Sequence, residues 1–427
     1  MFGMLFLLVV LGGVAAGAYA YSTASDAGKK AAVEALQTTL EFYRAVAHFL
    51  QGGSYSQCKA LSHSKRAKIH VFGLCMNFRL WNRPHYRHST FQKDLAQNLR
   101  NVAVPGTGVP LSVFAFSRLS AGFALMVLYP AGCLVAAVRE CGKDMVNVRK
   151  AYEEQLLRPD DWFYLWRLNC VLASWHALVT NEEGYKLEDK LTFLQVAEEK
   201  DVAVTPFMDI PAIICKHRNE EGGLGYKFFS NAMAGGDWII QEVLSNDSPI
   251  KELLPDDAPL STFRVITLSE HETNEITALS CVWRAGMAGA KTDHKAIFFD
   301  VDVPGGVFKK GASNANWYQL GVTKAFKSRG TTAHEISMHP DNQKTIAGEK
   351  IDAEAIVSFA TRAHKSMMPR VPLVGWDVAL TEKGMVMLEC NLSCNFFLGS
   401  FDMEKYFDAV GTYFEALETL EASEKAT

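Results

Sequence analysis

At 427 residues the chain is long enough for two or three domains, and its 48% hydrophobic and 21% charged residues exclude wholesale disorder, collagen and coiled coil. The net charge of -4 points to no particular partner, yet residues 21–118 hold 13 lysines and arginines against four acidic residues, so the remainder of the chain is acidic. Nine cysteines without a CxxC pair argue against a zinc ribbon or a redox dithiol and read as reduced, mostly buried thiols.

Residues 1–20 carry no charge and are long enough to cross a bilayer. Ala18-Tyr19-Ala20 fits signal-peptide cleavage, but no basic residue precedes the run, which favours an uncleaved anchor. Residues 27–51 place Val33, Leu36, Leu40, Phe42 and Val46 at helical spacing, with Gly52-Gly53 as a stop. The basic stretches KRAKIH and MNFRLWNRPHYRH read as a solvated face beside a membrane rather than a nucleic-acid surface. Residues 119–138 form a second uncharged run, interrupted by Pro130 and flanked on both sides by basic residues (Arg100 and Arg118 before; Arg139, Lys143, Arg149 and Lys150 after). A segment that enters and returns, or lies on the surface, keeps both flanks on the cytosolic side, and Pro130 would break the helix. A full span and a buried core helix are the alternatives.

From about Asp160 short β-like runs alternate with helical patterns, an α+β or α/β texture. Residues 187–199 predict a helix, PAIICKHR a strand, and DWIIQEVL a strand leaving a loop; STFRVITL and ITALSCVWRAG alternate like paired strands. VGWDVALTEKGMVMLECN predicts a β-hairpin turning at residues 381–384. On that hairpin Glu389 and Asn391 share a face and Asp377 falls opposite Glu389, a set of hard oxygen donors suited to Mg²⁺ that phosphates also hold. Lys216 ends the PAIIC strand before Gly222, Gly223 and Gly225, where an ammonium and backbone N–H groups can meet phosphate. Gln241 and Glu242 follow an apolar strand whose edge can bind a purine and a ribose. HEISMH spaces its histidines five apart and cannot form an HExxH site, and neither GxSxG nor a complete P-loop occurs. The acidic stretch 415–425 reads as a solvated amphipathic helix.

The order Asp189-Lys190, Lys216 with its glycines, Gln241-Glu242, Arg264, Arg284, then Asp377 with Glu389 and Asn391 resembles the ATP-grasp superfamily over residues 188–397. STFRVITL, VWRAG and the hairpin are most like its sugar-transfer-associated group, with glutamate-adding ligases more distant. The resemblance implies two α+β subdomains clasping ATP, behind a membrane anchor at 1–20 and a basic helical region at 21–150, with the catalytic domain at 151–427. It further implies that Lys190 and Lys216 contact the ATP phosphates and that Gln241, Glu242, Val243 and Leu244 hold adenine and ribose. Arg264 and Arg284 would stabilise phosphoryl and acyl-phosphate oxygens, while Asp377, Glu389 and Asn391 would bind Mg²⁺, or Mn²⁺ in its place. Three positions depart from the pattern: Thr262 where an acidic residue is usual, Asp293-His294 in place of a DN pair, and Leu392-Ser393-Cys394-Asn395 after the ExN motif. The function expected is a membrane-anchored, cytosol-facing ligase joining a carboxylate to an amine or sugar-linked nucleophile, with a phosphotransferase or a non-catalytic nucleotide-binding scaffold as alternatives.

Overall fold

The computed structural model describes residues 25–426 apart from 101, 103–109, 161, 220–225, 294–295, 314–334 and 395–400. The uncharged run at 1–20 and the glycines at 222, 223 and 225 lie outside the described residues. The chain divides into two units, one built from residues within 1–83 and 90–164, the other from 84–89, 165–317 and 332–427.

The first unit is helical. Helix α1 (Asp26–Leu50) starts where the Ser25 side chain accepts the Gly28 N–H, and the chain turns away at Gly52, whose φ of +89° suits glycine. Its buried stripe runs through Phe42, Ala45, Val46 and Phe49, whereas Val33, Leu36 and Leu40, expected on the same face, are exposed. Helix α2 (Lys65–Arg79) is capped by Ser64 and buries Ile69, Val71 and Phe72, so the basic stretch around it is only partly a solvated face. Arg66 turns inward and donates to the carbonyls of Arg158 and Pro159 at 2.7 and 2.9 Å. Helix α3 (Phe91–Arg100) follows.

The second uncharged run is a helix, α4 (Arg118–Cys141), which Pro130 does not break. A proline has no N–H for the carbonyl four residues earlier, here Met126. The turn at Ala124–Leu128 widens by one residue, with the Tyr129 N–H on the Ala124 carbonyl, and the Tyr43 hydroxyl donates to the freed Met126 carbonyl at 2.6 Å. Helix α5 (Met145–Leu157), capped by Asp144, lies along α4; the Tyr129 hydroxyl donates to the carbonyls of Gln155 and Leu156 and meets His70 Nε2 at 3.0 Å. Helix α6 (Trp162–Thr180) follows, and from Leu165 onward it belongs to the second unit.

In the second unit, helix α7 (Lys190–Glu199) begins at Asp189, whose carboxylate accepts the Thr192 N–H at 2.8 Å; residues 187–189 precede the helix rather than belong to it. Strands β1 (Ala212–Cys215) and β2 (Lys227–Ser230) make a small antiparallel sheet. The DWIIQEVL segment is not a strand; it makes only isolated pairings, Trp238 with Asn231 and Gln241 with Phe207. Its neighbours Pro206 and Met208 meet it through single backbone hydrogen bonds, too few to build a ladder. Helix α8 (Ser248–Leu253) leads to the main sheet.

That sheet comprises β3 (Thr262–Ser269), β4 (Ile276–Gly286), β5 (Ala296–Asp302), β6 (Val307–Ser313), β7 (Glu335–Ile336), β8 (Leu373–Thr381) and β9 (Gly384–Asn391). The order is β7-β6-β5-β4-β3-β8-β9, with every neighbouring pair antiparallel. One face, carrying Phe263, Val265, Trp283, Phe299, Trp376 and Val378, packs with Ile356, Ala360 and Ala363 of α9 (Ala353–Met367) in a single apolar core. The β8–β9 turn falls where expected, with Gly384 at φ +103°. Helix α10 (Met403–Ala426) buries Tyr406, Val410, Tyr413 and Phe414, so the acidic C-terminal stretch is the polar side of a packed helix.

Three buried histidines are held neutral. Burial, helped by Arg66, pushes His70 down to about 3, and burial together with His271 and Arg370 pushes His176 to about 3. His364 falls to about 4 because burial outweighs the backbone acceptors at Val371 and Met368. Between the ordinary histidine value near 6.5 and these lowered values, the unfolded chain binds protons that the folded chain refuses. The associated stability is complete above about pH 6.5 and is lost as pH falls toward 4, at about 1.4 kcal/mol per pH unit for each histidine. Thermal unfolding should therefore shift steeply downward between pH 6.5 and 4.5; a flat profile there would contradict the buried neutral state.

Candidate active site

The site is a consequence of register. Side chains alternate along a strand, so Thr262 and Arg264 face away from the apolar core that takes Phe263 and Val265. Arg264 on β3 stands opposite Asp377 on β8, and Asp377 opposite Glu389 on β9, a row across three adjacent strands. On β4, Arg284 stands opposite Thr262. A cation, an acid and a second acid are thus laid side by side on the face of the sheet opposite the apolar core.

Asp377 is the centre of the row. Its Oδ1 lies 2.5 Å from Arg264 Nε and its Oδ2 2.8 Å from an Arg284 guanidinium nitrogen. Burial alone would raise this carboxyl, but the two guanidinium groups overcome it and hold the group down to about 2. The same pairing keeps Arg264 above its ordinary value against the opposing pull of burial. Room for the Arg264 side chain comes from Gly375, where a Cβ would stand 2.6 Å from Cys394 Cβ and 3.3 Å from Arg264 Cδ.

A cleft of about 450 Å³ opens onto this face. Arg284, Asp377, Glu389, Lys190 and Thr262 line its floor, Gln241, Glu242 and Leu244 one wall, and Leu194, Ile239, Leu260 and Leu388 supply apolar surface. Lys190, the first residue of α7, reaches Glu389 with Nζ 2.6 Å from Oε2, a pairing that raises the lysine despite its partial burial. Glu242 is held by Lys383 from the β8–β9 turn at 2.5 Å.

Not every expected residue is in the cleft. Arg264 pairs with Asp377 and does not line the cleft, Val243 is 93% exposed, and Lys216, exposed just after β1, is not among the lining residues. Asn391 shares the Glu389 face, with Nδ2 3.5 Å from Glu389 Oε1. Among the described residues no cluster of three histidine, cysteine or acidic side chains gathers as a metal site. Because both Asp377 oxygens are spent on arginines, Glu389 with the Asn391 amide is the part of the expected trio open to a cation. Glu389 on the cleft floor and the neighbouring Asn391, which does not itself line the cleft, are hard donors that fit Mg²⁺ shared with phosphate oxygens, since that ion seldom relies on protein ligands alone.

Several contributors escaped sequence reasoning. Thr262 and Asp293, two of the departures, converge on Arg284: Asp293 Oδ2 lies 3.2 Å from Arg284 Nε and accepts the Thr262 hydroxyl at 2.5 Å, while Thr262 accepts from Arg284 at 2.7 Å. Of the third departure, residues 392–394 are pinned. The Leu392 N–H donates to Glu188 Oε2 at 3.0 Å, Trp166 Nε1 to the Ser393 carbonyl at 3.0 Å, and Asn169 to the Cys394 carbonyl at 2.8 Å. Glu188 is paired in turn with Arg87 at 2.8 Å, a residue from the basic stretch that sits with the second unit. Cys394, pushed up to about 12 by burial, and Cys390, also raised by burial, are inert thiols rather than nucleophiles.

Residues 225–405 match the family model for sugar-transfer-associated ATP-grasp proteins. That matched segment contains the main sheet and much of the cleft, and this part of the chain is similar to the sugar-transfer-associated ATP-grasp family. The matched segment holds Arg264, Arg284, Asp377, Glu389 and Asn391 together with residues 241–244, and it begins after Lys190 and Lys216. Among solved structures the chain is similar to the D-alanyl-alanine synthetase A of Vibrio cholerae O1 biovar eltor str. N16961, at 11% identity and a TM-score of 0.26, over 54% of this chain and 66% of that one. No curated protein matches the chain.

For the two lysines the geometry sets an order. Lys190→Ala should weaken ATP binding by about tenfold or more, because it removes a cation from the cleft and leaves Glu389 unpaired against phosphate. Lys216→Ala should weaken it measurably but less. Calorimetric titration of both variants with ATP would test this, and a larger loss at Lys216 would reverse the assignment.

Proposed function

We propose that the protein is a Mg²⁺-dependent ATP-grasp ligase that activates a carboxylate as an acyl phosphate, which an amine or similar nucleophile then attacks to give an amide and phosphate. One observation carries this reading: Arg284 and Lys190 meet Asp377 and Glu389 at the floor of one cleft whose wall is apolar enough for a purine. ATP would lie with adenine among Ile239, Leu260 and Leu388 and ribose near Glu242, its phosphates running toward Lys190. Arg284, braced by Thr262, Asp293 and Asp377, would be fixed where negative charge builds on the transferring phosphoryl group, so that little reorganisation is needed in the transition state. Arg264 acts through Asp377 and positions that arginine. Mg²⁺, when bound by Glu389 and Asn391 with the phosphates, supplies charge neutralisation across the phosphoryl groups. The inert thiols favour direct transfer without a covalent enzyme intermediate, and the His85–Ser174 pair, at 3.0 Å, involves a buried serine and is not part of the cleft lining.

The test is to incubate the protein with ATP, Mg²⁺ and panels of amino acids and sugar acids in hydroxylamine. An acyl phosphate is trapped as a hydroxamate in step with ADP release. ADP release without hydroxamate, giving a stable phosphorylated product, would replace this reading with a phosphotransferase. ATP binding with no turnover for any panel member would support the scaffold instead. Membrane attachment through residues 1–20, with this unit facing the cytosol, completes the proposal, since ATP is supplied there.

A further inference from the structure

Helix α4 is apolar on two sides, and only one of them is used. Pro130, Gly132, Cys133, Ala136 and Ala137 are buried within the first unit. On the other side Leu119, Phe123, Val127, Leu134, Val135 and Val138 are exposed, at 39–87% of their full surface. A solvated helix face carries polar residues; an apolar face of this length marks contact with something equally apolar. Basic residues close it at both ends, Arg118 on one side and Arg139 and Lys143 on the other, all exposed.

We infer that this face of α4 seats in one leaflet of a lipid bilayer, with the helix lying in the membrane plane and its basic ends at the headgroups. Three observations select that arrangement over a span. The opposite side of α4 is packed along α5, tied through Tyr129 to the carbonyls of Gln155 and Leu156. Helix α5 carries Arg149, Lys150, Glu153 and Glu154, so a crossing α4 would drag those charges into hydrocarbon. Basic residues at both ends also favour one side of the membrane for both. The bilayer is favoured over the chain's own residues 1–20 as occupant, because an uncharged segment laid along α4 would cover one apolar side and present another. An in-plane helix with apolar residues below and basic residues at headgroup level is the physical form of an interfacial anchor.

The full chain, reconstituted in sealed vesicles of phosphatidylcholine and phosphatidylserine, tests this in two arms. In the first, Gln97→Cys and Asn147→Cys are introduced together, at exposed positions before and after α4, and labelled with a membrane-impermeant maleimide read peptide by peptide. Both should be labelled on the same molecules without detergent; labelling of one only until detergent is added means that α4 crosses, and overturns the proposal. In the second, lipids bearing a photoreactive acyl chain are activated and adducts are mapped. Adducts should fall on Phe123, Val127, Val135 and Val138 at about tenfold or more the level on Cys133 and Ala137. Adducts absent from this face, with cross-links instead to residues 1–20 or to a second copy, would assign the face to protein and overturn it as well. Attachment by residues 1–20 alone would keep the protein on vesicles but leave α4 without lipid adducts, so the two anchors are separable.

Discussion

Glu389→Gln is expected to lower ADP formation by about a hundredfold or more while leaving the fold intact. The substitution keeps volume and hydrogen-bonding shape and removes one negative charge. In the fold that charge is ion-paired with Lys190, whose side chain is 67% exposed, and an exposed pair of this kind contributes about 0–1 kcal/mol. In the proposed site the same charge is the acidic donor that would meet Mg²⁺, because Asp377 is occupied by Arg264 and Arg284. Activity and stability should therefore separate. Circular dichroism and thermal unfolding should match wild type, and turnover should not recover at saturating Mg²⁺. Wild-type turnover in this variant would remove Glu389 from the metal site.

Asp377→Asn should do the opposite to stability. Both guanidinium groups lean on that carboxylate from positions with little solvent, Arg264 at 7% and Arg284 at 12% side-chain exposure. Removing the charge leaves buried cations uncompensated, a change that costs about 3–5 kcal/mol when one partner of a buried pair is taken away. Arg284 keeps Asp293, so most of the penalty should fall on Arg264. Adding Arg264→Gln to Asp377→Asn should accordingly recover part of the loss, which is non-additive behaviour expected of one network. Urea unfolding of the two single variants and the double variant would measure this. A loss under about 1 kcal/mol for Asp377→Asn would mean that solvent screens the row far better than its burial implies. The acid limb follows with a fixed sign. The carboxyl is depressed to about 2, so its contribution is complete above the ordinary carboxylate range and fades only as pH falls through that range toward 2.

Much of the second unit was legible because its strands are short and patterned. STFRVITL and ITALSCVWRAG became β3 and β4, and the hairpin with its Gly384 turn became β8 and β9, since period-two alternation and a glycine at positive φ are local properties. The pairing of Asp377 with Glu389 could be counted along a single hairpin. DWIIQEVL misled because its apolar run has strand composition but only isolated partners, and composition carries no information about partners. Pro130 misled in a similar way. Its missing hydrogen bond was foreseeable, but the Tyr43 hydroxyl that takes up the orphaned Met126 carbonyl comes from 83 residues away.

The sequence by itself determined β1, β3, β4 and the β8–β9 hairpin, that Glu389 and Asn391 share a face, and which residue types were expected to meet ATP and Mg²⁺, all of which follow from spacing within one element or from motif order. Only the tertiary structure decided how those residues divide their work. Arg264 and Arg284 arrive from strands distant in the chain and claim both oxygens of Asp377; Thr262 and Asp293 brace Arg284; and Arg87 reaches Glu188 across 101 residues. The same holds for α4, whose composition allows a span, a re-entrant turn or a core helix. Its packing along a charged α5 separates these, because the cost of burying a charge depends on what lies beside it in space, not on what precedes it in the chain.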